Sequence, residues 1–76
     1  MTKNDNTVTI IERAPDYDLV KLTPTIDLSR IRVMSGEVVE KTEDSITMKL
    51  RDNDSLLING LVILWWVREE GAFVRQ

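Results

Sequence analysis

The side chains able to do chemistry in this chain are mostly carboxylates. Asp16 and Asp18 form one D-x-D pair, and Asp52 and Asp54 form another. Paired carboxylates hold Mg²⁺ or Ca²⁺, or act as general acid and base. Both pairs lie in or beside turns, and neither continues into a D-x-D-x-D-G calcium loop. Aspartate in a turn ordinarily accepts hydrogen bonds from its own backbone, so no metal site is assigned to them. The cations are the second resource. Arg30 and Arg32 share one face of an extended segment, and Lys49 and Arg51 share one face of another. If those segments pair through the turn at 41–44, the four form a small patch able to receive a phosphate or an acidic surface. The alternative is a solvated face of mixed charge, partly neutralised by Glu37 and Glu40. Serine, threonine and Tyr17 hydroxyls have no histidine to activate them, because the chain has no histidine and no cysteine. That excludes disulfides, thiolate or imidazole metal centres, and cysteine or histidine nucleophiles. No glycine-rich phosphate loop and no G-x-S-x-G elbow occurs among the glycines Gly36, Gly60 and Gly71. The chain is read as non-catalytic and without a cofactor.

The adjacent Trp65 and Trp66 carry a different message. They lie in residues 61–67, which are apolar throughout. Neighbouring residues in a strand point to opposite faces. This strand is therefore apolar on both sides: Leu61, Ile63, Trp65 and Val67 on one, Val62, Leu64 and Trp66 on the other. Either set can be the core set. A small domain has little material to cover both, so one face is expected to meet another chain, with one tryptophan as its anchor and Val62, Leu64, Trp65 and Trp66 as the candidate interface. The competing reading is a central strand capped within the chain by the N-terminal hairpin.

The elements that must position these groups are short. The chain has 76 residues, which is one domain: residues 1–6 form a flexible N-terminus and 7–76 a single folded unit. A chain of this length buries only about 60% of its unfolded surface, so a protein partner or self-association as a homo-oligomer is expected. Ten basic and thirteen acidic residues give a formal net charge of −3, a poor default for binding nucleic acid. The polar residues at the start are no secretory signal, and the seven-residue apolar run is far below the roughly 20 a membrane helix needs. A cytoplasmic domain with no membrane contact is expected.

Strand signals run the length of the chain. Val8, Ile10 and Ile11 alternate with Thr7 and Thr9, and Pro15 ends that run. Residues 17–22 read as a strand or a helical turn, and Pro24 breaks the chain again. Residues 26–40 form the longest candidate strand region. Its apolar phase changes across Gly36, from Ile31 and Val33 to Val38, which predicts a bulge or sharp bend there. Ile46, Met48 and Leu50 alternate with Thr47, Lys49 and Arg51. Leu56, Leu57 and Ile58 lead into Asn59-Gly60, the strongest two-residue hairpin signal. After residues 61–67 comes a turn, then Ala72, Phe73 and Val74 as a last strand. Six or seven short strands with turns about every ten residues predict an all-β sandwich or barrel.

Residues 31–50 carry a resemblance. Ile31 and Val33 precede Gly36 at a bend, Val38 follows two residues on, Glu43 and Asp44 sit in an acidic turn, and Ile46, Met48 and Leu50 alternate on the return. This order is similar to the core of small SH3-like or Sm-like β-barrels, over about half the chain. The resemblance implies an antiparallel barrel of five to seven short strands. The aromatic base-stacking loop and the basic surface of the RNA-binding Sm members are not seen. Acidic Sm-like barrels that inhibit a protein partner exist, so the fold also suits protein binding.

The functional expectation is a non-catalytic protein-binding module, an inhibitor or adaptor of the kind encoded by viruses and mobile elements. It would act by occupying a partner's surface. The alternative is a homo-oligomeric Sm-like assembly binding a nucleotide or oligonucleotide, with Arg30, Arg32, Lys49 and Arg51 on the phosphates. A carboxylate-dependent enzyme is the residual reading.

Overall fold

A computed structural model describes residues 7–75, so the stretch 1–6 expected to be a flexible N-terminus lies outside the described residues. Eight strands follow one another: β1 (Thr7–Arg13), β2 (Asp18–Thr23), β3 (Ile31–Val33), β4 (Glu37–Lys41), β5 (Ile46–Leu50), β6 (Ser55–Ile58), β7 (Val62–Val67) and β8 (Ala72–Arg75). The 17–22 region is thus a strand. The expected long strand over 26–40 is divided. Asp27 caps a single 3₁₀ turn, Leu28–Arg30, its carboxylate accepting the Ser29 N–H at 2.9 Å. Two short strands follow, separated by a bend at Gly36. This division is why the count exceeds the six or seven expected.

The strands form two antiparallel sheets, ordered β1-β2-β5-β4 and β3-β6-β7-β8. No pairing among the described residues joins them into a closed barrel. The bend at Gly36 performs the transfer between sheets: β3 pairs with β6 in the second, while β4 pairs with β5 in the first. Gly36 has φ +129°, and a Cβ there would stand 2.9 Å from Leu50 Cδ2 and 3.3 Å from the Lys49 carbonyl oxygen. Only glycine fits a backbone that close in that conformation. The Asn59-Gly60 signal produces the β6–β7 hairpin. Both residues have positive φ, 55° and 69°, and the Leu61 N–H closes the turn on the Ile58 carbonyl at 3.0 Å.

The core sits between the sheets. Val20, Leu22, Ile46, Met48 and Leu50 come from the first sheet, Leu56 and Trp66 from the second, and Leu28 from the 3₁₀ turn. The alternation of β2 and β5 accounts for this, since every second residue faces the opposite sheet. Phe73 packs its ring against Trp66 at 4.9 Å between centroids, nearly edge to face. No helix among the described residues is long and apolar enough to cross a membrane.

Candidate functional site

Three places gather chemically able groups. The first is the buried carboxylate of Asp18. Its β2 neighbours in phase are Val20 and Leu22, both core residues, so the alternation carries Asp18 inward with them. Its side chain has no exposed surface. A buried charge must be paired and hydrogen-bonded. Arg13, its cross-strand partner on β1, donates from Nε to Oδ1 at 3.0 Å and from Nη2 to Oδ2 at 3.1 Å. Arg68 Nη2 donates to Oδ1 at 3.1 Å, and the Trp66 indole N–H donates to Oδ2 at 2.8 Å. Burial alone would raise the Asp18 pKa. The bonds from Arg13, Arg68 and Trp66 and the Arg13 charge outweigh it, and lower the pKa from 3.8 to about 2.

The network also ties distant turns together. Arg68, just after β7, donates to the carbonyl oxygens of Ala14, Pro15 and Tyr17 in the β1–β2 turn, and the Arg68 carbonyl accepts from Arg13. It clamps the two sheets at one end. The Asp18 oxygens are enclosed and occupied, while the Arg68 Nε–H is buried with no hydrogen-bond partner among the described residues. The D-x-D spacing of Asp16 and Asp18 gives no sign of Arg13 and Arg68, the partners the structure supplies to Asp18. The available signal was the phase of Asp18 with Val20 and Leu22, which demands a cationic partner.

The second place is an open groove of about 410 Å³ where the two sheets meet at the Gly36 bend. Asp16, Tyr17, Ser35, Gly36, Glu37, Lys49, Arg51 and Asp54 surround it. Lys49 lies over the Tyr17 ring, its Nζ 5.1 Å from the centroid. The structure thus brings Lys49 and Arg51 together. It separates them from Arg30 and Arg32, because the segment holding those two joins β6 in the second sheet and does not pair with β5. The expected four-residue basic patch therefore does not assemble. Asp16, Glu37 and Asp54 outnumber the two cations that remain, which disfavours a phosphate. Asp54 accepts from Ser35 Oγ at 2.7 Å and from the Arg51 N–H at 2.8 Å, and Asp52 accepts from the Arg68 N–H at 3.0 Å. The 52/54 pair thus braces backbone, as turn aspartates do.

The third place is the outer face of the second sheet. Cross-strand partners share a face, and the register defines its rows. Arg32, Leu57 and Ile63 form one row, Ser55, Trp65 and Val74 a second, and Val67 and Ala72 a third. Trp66 points the other way and is fully buried. Trp65, Ile63, Leu57, Val67 and Ala72 are half-buried, and Val74 is exposed. Val62 and Leu64 share the Trp66 side but lie beyond the fully buried core, and are half-buried themselves. Of the four expected interface residues, Trp66 belongs to the core, while Trp65, Leu64 and Val62 keep part of their surface open.

No protein-family model, curated protein or solved structure matches this chain.

Proposed function

We propose that the protein is a non-catalytic protein-binding module that docks through the outer face of its second sheet, with Trp65 as the anchor. One observation carries this reading. Strand β7 is apolar on both faces, and only the Trp66 face meets the opposite sheet. The Trp65 face is a continuous apolar surface of Leu57, Ile63, Trp65, Val67, Ala72 and Val74. A large aromatic at the centre of such a surface is the usual form of a binding hot spot. Its action is steric, as an inhibitor or adaptor that occupies a partner.

Docking by a face is favoured over assembly by strand edges. All four sheet edges are short or kinked. Bulges interrupt β1 at Ile11 and β4 at Val39, while β3 spans three residues and β8 four. Such devices discourage strand addition. A ring built edge to edge, with nucleotide held by the four cations, therefore ranks second. The closed barrel, SH3-like or Sm-like, belongs to this proposal as well; its support is the bend at Gly36, where consecutive strands pass from one sheet to the other.

A photo-crosslinking residue at position 65 tests the reading in the cell that makes the protein, with position 21 on the outer face of the first sheet as control. The expected result is one discrete adduct from position 65 whose mass is no multiple of the chain, absent from position 21. Excess purified wild-type protein abolishes it, and excess Trp65→Ser protein does not. The same adduct from both positions, or chain–chain adducts alone, contradicts it.

A further inference from the structure

The partner's chemistry follows from the charges around that face, on the premise that the face is the docking surface. The four strands of the second sheet contain no acidic residue. Their charged residues are Arg32 and Arg75, in a chain whose net charge is −3. Among the described residues, the acids lie in the first sheet and in the turns. Arg32 stands on the outer face in the row of Leu57 and Ile63. Arg75, the register partner of Leu64, belongs to the Trp66 side of the sheet and lines an open groove of about 350 Å³ with Leu61, Val62 and Ile63. Arg30 lies beside the β6–β7 turn, its Nη1 donating to Asn59 Oδ1 at 3.3 Å. Among the described residues neither Arg32 nor Arg75 is in an ion pair. Leu61, 85% exposed, stands beside them.

An apolar face that carries Arg32 at one end, with no acidic residue in its four strands and no ion pair to Arg32 among the described residues, is complementary to one kind of surface. We infer that its occupant is an acidic segment of a partner protein with an apolar stripe: the stripe covers Trp65, Ile63 and Val74, and a carboxylate meets Arg32. Guanidinium groups suit this role, since they bind carboxylates through two parallel hydrogen bonds and tolerate partial desolvation. A second copy is a poorer fit. The face has no carboxylate of its own to receive the other copy's Arg32, and like charges across an interface exclude wrong partners.

The test uses three labelled synthetic peptides with one shared Leu/Trp stripe and either Glu, Lys or Gln at the remaining positions. Binding to the full chain is read by fluorescence anisotropy at low and at physiological salt. The Glu peptide is expected to bind at least about tenfold more tightly than the Lys peptide, with the preference shrinking in salt. Arg32→Glu, an exposed change, is expected to reverse the order. Equal affinities, preference for the Lys peptide, or no binding of the Glu peptide overturns the inference. So does a dimer on a sizing column, or binding to phosphatidylglycerol vesicles in place of the peptides. Failure of the underlying face reading looks different: Trp65→Ser then binds the Glu peptide as tightly as the wild type does.

Discussion

At the residue scale, Asp18 shows how one charge organises one end of the molecule. Its folded pKa of about 2 lies below the ordinary 3.8. A depressed carboxylate pKa contributes stability that is fully present above 3.8 and is lost as pH falls through about 2. The shift corresponds to about 2 kcal/mol. Half-exposed Arg13 is screened by solvent and supplies less of it than its two hydrogen bonds suggest. Asp18→Asn is therefore expected to lose about 2 kcal/mol near neutral pH by urea unfolding, and the gap to wild type should narrow steadily below pH 3.8. A gap that persists unchanged to about pH 2 would show that the charge is not what stabilises. The two tryptophans divide as sharply. Trp66→Ala opens the core and removes a donor to Asp18, and should cost about 3–5 kcal/mol or prevent folding. Trp65→Ser removes a half-buried ring from the outer face, outside the fully buried core, and should cost clearly less stability than Trp66→Ala while the protein stays folded. That the pair splits into one inward and one outward ring was legible from strand alternation. Which ring turns inward was not, because β7 is apolar in both phases and only the Asp18 acceptor and the Phe73 ring select Trp66.

At the element scale, two glycines with positive φ make unequal demands. Gly60 sits at a hairpin tip with nothing within 4 Å of an added Cβ, whereas Gly36 is crowded by Leu50 and the Lys49 carbonyl. Gly60→Ala should cost about 1 kcal/mol through conformation alone. Gly36→Ala should cost about 2–3 kcal/mol, because strain and overlap add. Chemical denaturation of both variants checks the order, and a Gly36→Ala protein as stable as Gly60→Ala would remove Gly36 from its role as the sheet-crossing bend. These elements were readable because their signals are local: the apolar phase changes across Gly36, and Asn-Gly announces its own turn. The ends of β5, β6 and β8 were readable within a residue for the same reason. The 3₁₀ turn at Leu28–Arg30 was not, since its apolar Ile26, Leu28 and Ile31 mimic a strand, and only the Asp27 cap distinguishes it. Nor was the separation of Arg32 from Lys49 and Arg51, which depends on the sheet each strand joins and not on its own pattern.

At the scale of the whole molecule, the two sheets are asymmetric. The first carries charges of both signs on its outer face, where Lys21, Glu37, Glu40 and Lys49 meet in register. The second carries an apolar face with Arg32 at one end, and its strands contain no acidic residue. With every edge bulged or short, self-assembly through strands is discouraged and the protein is expected to be a monomer. The most direct measurement is acrylamide quenching of each tryptophan alone, in Trp66→Phe and Trp65→Phe proteins whose masses are taken by light scattering in the same samples. If Trp66→Phe fails to fold, the difference between wild type and Trp65→Phe reports the same quantity. A one-chain mass is expected, with Trp65 quenched more readily than Trp66, as a half-buried ring differs from a fully buried one. Equal protection of the two rings, or a stable dimer in which Trp65 is shielded, would contradict the claim that this face stands open for a partner.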